Sequence, residues 1–334
     1  RVRSHEHLMT SSAPRRVAVI GGGQNCEHDV SLASAASVAA ALDPDLFVAI
    51  RLTIDLDGRW HLGSDPLGDT PAGSLAAAVT VLAECDVAFP AVHGPVGEDG
   101  TLAALCRLAG VPWVGSDLRA GALAMDKVTT KLIAGAHGIA TAPGTLVTAA
   151  TAASVRWDGP VVVKPVAAGS SHGVSLVTAP DDLAPAIDAA LALDGRVLVE
   201  QLVEGREIDV AVLERVDGSR FVGPALEIVS PEGSVFDLDS KYDGSADFRL
   251  PAAIDEVERK ELSHAALTLF DALGCAGVAR FDFFVTPMGV VLNEVNTMPG
   301  MTATSQVPRM FAAAGMPYRS LLTELVLGAA RTAR

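Results

Sequence analysis

The stretch from Ala279 to Ser305 limits the fold more than any other part of the chain, because it reads as two adjacent strands joined by a tight turn. Apolar, β-branched and aromatic residues predominate in 278–285 and 290–295. The turn between them is Pro287-Met288-Gly289, and the second run ends in Asn-Thr-Met-Pro-Gly. This pattern predicts a β-hairpin.

Polar residues recur on one face of this hairpin. Side chains alternate between the two faces of a strand, so the members of each set below share a face. Two carboxylates and an amide oxygen suit Mg²⁺, and a neighbouring arginine can bind an anion or a developing oxyanion. The alternative is the exposed polar face of an antiparallel hairpin. The sets are Arg280, Asp282 and Phe284 on the first strand, and Leu292, Glu294 and Asn296 on the second.

The length and composition exclude membrane proteins and disordered chains. The first eight residues, RVRSHEHL, precede Met9 and look like the remnant of an expression tag. The remaining chain is long enough for two or three domains. Hydrophobic residues make up 49% of the sequence, yet no apolar run reaches the length of about 18 residues that indicates a membrane span. We therefore expect a soluble, cytoplasmic protein that does not bind a membrane.

Charge and cysteine usage exclude further classes. The formal net charge of −15 argues against a nucleic-acid partner, because binding to a phosphate backbone needs clustered Lys and Arg. A few placed lysines and a metal can still bind a nucleotide on an acidic protein. The cysteines lie far apart without a CxxC pair, which favours reduced, mostly buried thiols over a zinc site or a disulfide. They are Cys26, Cys85, Cys106 and Cys275.

The chain opens with a strand, a glycine turn and a helix. Residues 17–20 are apolar, GGGQNCEHDVS occupies 21–31, and an alanine-rich stretch continues to Leu42. This order predicts the start of a doubly wound α/β unit, where helix N-terminal N–H groups can bind an anion. GxGxxG is absent, and the Glu27-His28 pair inside the turn is unusual for a dinucleotide binder. Glu27 in this turn is either functional or merely favoured near a helix N-terminus.

Two further strands, at 47–54 and 87–92, continue the α/β pattern. The second ends in the loop HGPVGEDGT at 93–101, and ligands of open parallel sheets bind at such strand ends. A helix through Cys106, a short strand at 111–114 and a helix within 115–131 follow. The last of these contains Lys127 and Lys131, and lysines on a helix are ordinarily solvated.

A strand-rich unit begins near Thr141. The strand 161–165 includes Lys164 and leads into the loop AAGSSHGVSLV at 167–177. A lysine beside a Gly/Ser loop offers a cation and backbone N–H groups to a nucleoside triphosphate, although a plain linker would have the same composition. Acidic residues in the segment 200–213 suit adenine and ribose, or they are merely exposed.

The segment Phe236 to Pro251, FDLDSKYDGSADFRLP, is too long for a tight turn. Structureless loops of this length inside compact domains are usually functional, so we predict a lid. A helix over 254–273 precedes the hairpin, and a final helix begins at about Tyr318.

Together these motifs resemble one family in their order and spacing. They match the D-alanine–D-alanine ligases of the ATP-grasp superfamily, and the likeness extends over essentially the whole chain from residue 16. The resemblance implies an α/β fold in which a Rossmann-like N-terminal domain (9–126) precedes two α+β domains (127–215 and 216–334) that sandwich ATP. The motifs are GGGQNCEHDVS, HGPVGEDGT, MDKVTTK, VVVKPVAAGSSHGVS, VEQLVEGREIDV, DSKYDGSADFRLPA, and CAGVARFDFFV with LNEVNTMPGMTATS.

The resemblance also implies an activity. ATP would phosphorylate the carboxylate of a first D-alanine, and the amine of a second D-alanine would attack the acyl phosphate. The product dipeptide would supply peptidoglycan synthesis. The implied cofactors are ATP and two Mg²⁺ ions, with Mn²⁺ as a substitute, and the implied assembly is a homodimer.

The family's site residues map onto this sequence residue by residue. For catalysis they are Glu27, Ser170, Tyr242, Arg280 and Ser305; the first three form a hydrogen-bonded set, and Arg280 faces the oxyanion. For ATP they are Lys127, Lys164, Ser171, Glu200, Val203, Glu207 and Lys241. For the two substrates they are Val30, His93, Gly300 and Gln306. For Mg²⁺ they are Asp282, Glu294 and Asn296.

The sequence departs from the family pattern at several positions. Gln306 lies where the second substrate is expected, so the alternative is a ligase of the same fold with another D-amino acid acceptor or a specialised-metabolite substrate. Tyr242 favours an amine acceptor. A binding protein without activity is disfavoured, because the predicted metal ligands and Arg280 are all present. The other departures are Asn25, Ala103-Ala104, Ala167 and Gln201.

Overall fold

The computed structural model describes residues 13–169, 171–229 and 247–332. The predictions for residues 1–8, Ser170, Lys241, Tyr242 and most of the lid segment lie outside these ranges. The α/β class is confirmed, since three sheets and their helices form the described chain. The domain boundaries given above stay a prediction.

The first sheet is the doubly wound unit that the glycine turn predicts. Its strand order is β4-β3-β2-β1-β5, with β1 parallel to β2 and β5. The helix after the turn packs closely on β1, because a Cβ at Gly21 would lie 2.5 Å from the Cβ of Ala35. The strands are β1 (Arg15–Gly22), β2 (Phe47–Ile54), β3 (Trp60–Leu62), β4 (Asp65–Pro66) and β5 (Val87–Pro90), and the helices are α1 (His28–Ala41), α2 (Pro71–Ala83) and α3 (Thr101–Ala109).

Two helices and a second sheet follow. The helices are α4 (Leu118–Met125) and α5 (Lys127–Ala136). The strand that follows them, β6 (Ala140–Thr141), belongs to the third sheet. The second sheet is antiparallel with the order β7-β10-β8-β9. It consists of β7 (Gly144–Val147), β8 (Val161–Pro165), β9 (Ser175–Val177) and β10 (Val197–Gln201), covered by α6 (Leu183–Leu191).

The third sheet contains the hairpin. Its order is β14-β13-β11-β15-β16-β6, with β12 paired to β11. Helix α7 packs on one face of this sheet, and the two last helices pack against the first sheet in a shared apolar core. The elements are β11 (Arg206–Glu214), β12 (Arg220–Val222), β13 (Leu226–Val229), β14 (Asp247–Arg249), α7 (Glu256–Leu273), β15 (Val278–Thr286), β16 (Gly289–Asn296), α8 (Gln306–Ala313) and α9 (Tyr318–Thr332).

The hairpin is confirmed, but its predicted alternation is wrong at one residue. The pairing of β15 with β16 shifts between Asp282 and Phe283, so Asn293 is an extra residue on β16. Leu292 therefore pairs with Phe283 in the apolar core and does not share a face with Glu294 as predicted. A bulge of this kind reverses side-chain alternation locally and cannot be read from period-2 spacing.

Three other predicted elements differ from the structure. The helix within 115–131 is two helices, because Asp126 ends α4 and its side chain accepts a hydrogen bond from the backbone of Thr129 in α5. The strand at 111–114 is only an isolated bridge, between Ala88 and Trp113. The end of the predicted lid forms β14, where Arg249 pairs with the buried Glu227 at 3.0 Å.

Candidate active site

Two neighbouring cavities contain the described residues that the sequence singles out. The first, of about 900 Å³, lies between the second and third sheets. The second, of about 770 Å³, lies between α1, the third sheet and the start of α8. Both are bordered by Lys127, Glu207 and Glu294. A ligand in one cavity can therefore meet a ligand in the other at this common border.

Two lysines, the buried Lys164 and the half-buried Lys131, hold Glu200 at the first cavity. Lys164 lies 2.5 Å from one carboxylate oxygen, and Lys131 contacts the other oxygen. Lys164 also donates to the side chain of Asn293 at 3.2 Å. Lys164, which is predicted to bind the nucleotide phosphates, therefore contacts Glu200, which is predicted to bind adenine.

Lys127 lies at the border between the cavities. Its ammonium donates to the carbonyl of Ala168 at 2.7 Å and lies 3.5 Å from Glu294. The ordinary expectation of a solvated lysine is wrong here, because Lys127 is 8% exposed. Its position joins the Gly/Ser loop to the hairpin.

Arg280 is fixed on the hairpin by carboxylates on two strands. Its Nε and Nη2 each donate to Asp282 at 2.7 Å, and its Nε lies 3.5 Å from Asp209 on β11. Nη1 donates to the amide oxygen of Gln306 at 2.8 Å. Burial alone would lower the pKa of Arg280, but the charges of Asp282 and Asp209 outweigh burial and raise it well above its ordinary value. Arg280 is therefore a permanent cation facing the second cavity.

The donors predicted to hold Mg²⁺ lie opposite one another on the hairpin. Asp282 pairs with Glu294, and Arg280 pairs with Asn296. Among the described residues no group of three or more His, Cys, Asp or Glu side chains is arranged to hold a metal. Two carboxylates and an amide fit Mg²⁺ when substrate phosphates complete the shell, which is the usual way proteins bind this ion.

The glycine turn and the HGPVGEDGT loop meet through Asn25. Its side-chain amide donates to the carbonyls of His93 and Pro95, each at 3.0 Å, and its oxygen accepts from the backbone of Glu27 at 2.8 Å. This departure from the family pattern therefore positions two predicted site residues, Glu27 and His93. A Cβ at Gly169 would lie 2.9 Å from the Glu27 carboxylate, so the Gly/Ser loop reaches the same point.

His93 is buried in this loop, Glu98 is partly buried, and both have altered proton affinities. Burial lowers the pKa of His93 to about 4. Its Nε2 lies 2.8 Å from the hydroxyl of Ser34, and its Nδ1 lies 2.9 Å from the carbonyl of Met298. Neutral histidine thus donates through Nδ1 to Met298 and accepts at Nε2 from Ser34. Burial, with the nearby charge of Glu27, raises the pKa of Glu98 to about 8.

Gly300 and Ser305 lie together beside the second cavity. A Cβ at Gly300 would come 3.1 Å from the Ser305 hydroxyl. That hydroxyl accepts from the backbone of Thr302 at 3.1 Å and lies 2.7 Å from the Thr302 hydroxyl. Helix α8 begins at the next residue, so its N-terminus also borders this cavity.

The structure brings together every predicted site residue that it describes. Those bordering the first cavity are Lys127, Lys164, Ser171, Glu200, Val203, Glu207 and Glu294. Those bordering the second are Glu27, Val30, His93, Lys127, Glu207, Arg280, Asp282, Glu294, Asn296, Gly300, Ser305 and Gln306. Ser170, Lys241 and Tyr242 lie outside the described residues, and their roles stay a prediction.

Four residues of the site were not identified from the sequence. Asp209 alternates with Glu207 on β11, and an aspartate within a buried apolar strand is a signal that could have been used. Lys131 lies four residues after Lys127, on the same helix face. Asn293 enters the site only through the bulge. Glu98 gives no comparable signal, because an acidic residue in a glycine-rich loop is ordinarily exposed.

Comparisons with known proteins agree with this arrangement. Residues 16–116 match the family model of the D-ala D-ala ligase N-terminus, and residues 145–327 match that of the D-ala D-ala ligase C-terminus. The chain belongs to the D-ala D-ala ligase family. It is 41% identical to a D-alanine--D-alanine ligase of Rhodococcus jostii (strain RHA1), over 94% of this chain and 97% of that protein. A D-alanine--D-alanine ligase of Mycolicibacterium smegmatis is 39% identical over 93% of this chain and 94% of its own length.

Solved structures of the same family share the fold. The VanG D-Ala:D-Ser ligase from Enterococcus faecalis superposes with a TM-score of 0.79 at 32% identity, over 94% of this chain and 99% of that one. The D-alanine-D-alanine ligase from Coxiella burnetii gives 0.78 at 29% identity, over 96% and 95%. The Bacillus anthracis ligase complexed with ATP gives 0.77 at 25% identity, over 96% and 98%. No helix within the described ranges is long and apolar enough to cross a membrane.

Proposed function

We propose that this protein joins two molecules of D-alanine to D-alanyl-D-alanine and converts ATP to ADP and phosphate. The observation behind this proposal is the border of Lys127 and Glu294 shared by two cavities in a chain of this family. A nucleotide in the first cavity can deliver its terminal phosphate at this border to a carboxylate in the second. Peptidoglycan precursor synthesis is the corresponding role.

Phosphoryl transfer depends on the residues around the first cavity. Glu200 and the backbone near Val203 would bind adenine, and Glu207 would bind the ribose. Lys164, Ser171 and Lys241 would bind the phosphates. Lys127 would contact the phosphate that is transferred. A D-alanine carboxylate oxygen would attack the γ-phosphorus while the bond to ADP breaks. Mg²⁺ held by Asp282, Glu294 and Asn296 would neutralise the phosphate charge.

Ligation depends on the second cavity. Glu27, Val30 and His93 would hold the first D-alanine, and Gly300 with Ser305 the carboxylate of the second. The amine of the second D-alanine would attack the acyl carbon and lose a proton. The tetrahedral intermediate that forms would then expel phosphate and leave the dipeptide. Arg280 would stabilise the oxyanion, because Asp282 fixes its guanidinium before the charge develops. Ser170 and Tyr242 would complete the set around Glu27 and exclude water from the acyl phosphate.

The acceptor amino acid depends on Gln306. A buried amide without a partner would favour a polar acceptor, but here the amide oxygen accepts from Arg280 at 2.8 Å. The side chain is therefore engaged by the protein, which supports D-alanine as acceptor. D-serine is the second candidate, because Gln306 borders the cavity and VanG is a D-Ala:D-Ser ligase.

A competition assay tests this assignment. Equal D-alanine and D-serine are offered with ATP, and dipeptides are quantified by mass spectrometry for the wild type and Gln306→Leu. We expect mainly D-alanyl-D-alanine from both proteins. A wild type that makes mainly the mixed dipeptide, with reversion in Gln306→Leu, would make Gln306 a D-serine determinant.

The remaining assignments follow from this function. The cytoplasm supplies ATP and is the expected compartment. A homodimer is the expected assembly, and sedimentation measurements test it directly.

A further inference from the structure

Lys131 lies behind the wall of the nucleotide cavity. It does not border the cavity, whereas its partners Glu200 and Ala142 do. Its ammonium donates to the Ala142 carbonyl at 2.5 Å and to Glu200 Oε1. Its side chain is 15% exposed, so these contacts replace most of its hydration.

Helix α5 explains this placement. Lys127 and Lys131 are four residues apart, so they lie on one helix face about 6 Å apart along the axis. Lys127 reaches the border between the cavities, and Lys131 reaches Glu200. One helix face thus provides a lysine near the border where the phosphates are expected and a lysine at Glu200, where adenine is expected.

The carboxylate of Glu200 is held from both sides. Lys131 binds Oε1 and Lys164 binds Oε2, while Glu200 itself is 4% exposed. Each carboxylate oxygen can accept about two hydrogen bonds, so each still has a lone pair for a ligand. A carboxylate fixed in this way accepts from an exocyclic amine and repels a carbonyl oxygen at the same place.

We propose that Lys131 is a positioning residue that fixes Glu200 for the 6-amino group of adenine and so sets the preference for ATP over 6-oxopurine nucleotides. This inference rests on the proposed function only in placing adenine beside Glu200. Lys164 cannot replace Lys131, because Lys164 borders the cavity and also binds Asn293. Without Lys131, the Glu200 carboxylate would turn toward Lys164. Its Oε1 would then no longer be held in position to accept from the ligand.

Calorimetric binding of ATP and inosine triphosphate, without D-alanine, tests this inference. We expect the wild type to bind ATP about 100-fold more tightly than inosine triphosphate, since a site built for an N–H donor rejects a ligand lacking it. Lys131→Met should lower that ratio by about tenfold, almost entirely through weaker ATP binding. Lys131→Arg, which keeps the cation, should retain most of the ratio.

The control is Lys260→Met, because Lys260 is an exposed lysine on α7. The ratio of ATP affinity to inosine triphosphate affinity should be the same in this variant as in the wild type. Equal weakening of both nucleotides, an unchanged ratio, or a wild type without a preference for ATP would overturn the inference. If Lys131→Met does not fold, Lys131→Gln takes its place with the same expected result. Dipeptide formation is assayed separately, so an inactive wild type would refute the proposed function while the binding ratio still decides the role of Lys131.

Discussion

Arg280 is the residue on which the ligation chemistry depends most. A guanidinium fork donates twice to Asp282 and once to Gln306, and a lysine ammonium cannot reproduce that plane. We expect Arg280→Lys to lower kcat by about 10²–10³, or about 2–4 kcal/mol of transition-state stabilisation. Steady-state kinetics measure the loss, with Arg259→Lys as an exposed control. A loss of tenfold or less would assign Arg280 a structural role.

Glu294 gives the cleaner test of the metal site, because Asp282 also holds Arg280. Glu294→Gln keeps the shape of the side chain and removes one negative charge at the phosphoryl-transfer border. We expect ligation to fall by about 100-fold or more while the melting temperature stays near that of the wild type. Glu261→Gln, an exposed change on α7, is the matched control. Near-normal turnover of Glu294→Gln at ordinary Mg²⁺ would refute the assignment.

The described residues that the sequence singled out all border the two cavities. Some were identified from polar groups at strand ends and in glycine loops, and the others, including Lys127, came only from the family resemblance. The sequence did not predict Asn293, since one inserted residue on β16 reversed the alternation. It also did not predict Lys131, because whether a helix lysine is solvated depends on what the helix packs against. Both failures concern tertiary packing, which local spacing does not contain.

At the scale of elements, His93 joins α1 to the loop after β16. Its Nε2 accepts from Ser34, and its Nδ1 donates to the carbonyl of Met298. Because burial lowers the pKa of His93 from 6.5 to about 4, the unfolded chain binds a proton that the folded chain does not. The stability from neutral His93 is therefore complete above pH 6.5 and is lost as pH falls toward 4.

This contact predicts a pH-dependent difference between variants. Between pH 6.5 and 4 the free energy of unfolding of the wild type should fall by up to about 3 kcal/mol more than that of His93→Asn. Denaturant unfolding at a series of pH values measures the difference. Both proteins are also compared with Glu98→Gln added, because Glu98 lies 3.9 Å from His93 and its raised pKa has the opposite effect on stability. His137→Asn, at an exposed position, should follow the wild type, and parallel curves for His93→Asn would contradict the low pKa.

Element types were predictable where patterns are long, as in β15, α7 and α9, and less so at boundaries. Asp126 divides one predicted helix into α4 and α5, because its side chain caps the second. Helix α5 then places Lys127 at the border of the two cavities and Lys131 against Glu200, behind the wall of the first cavity.

At the scale of the molecule, each cavity is built from several parts of the chain. The first lies between two sheets, and the second needs the glycine turn, the hairpin and α8 together. The family motifs predicted that these parts lie together, because the order of the motifs is tied to the fold. Periodicity alone predicts strands and helices but not which sheets lie next to each other. One coupled reaction across the common border is therefore the activity expected of this molecule.

The most direct test is the stoichiometry of that reaction with purified protein, D-alanine, ATP and Mg²⁺. Product mass spectrometry and nucleotide chromatography should show D-alanyl-D-alanine with one ADP and one phosphate released per dipeptide. Formation of AMP and pyrophosphate, or ATP hydrolysis without any dipeptide, would contradict the account.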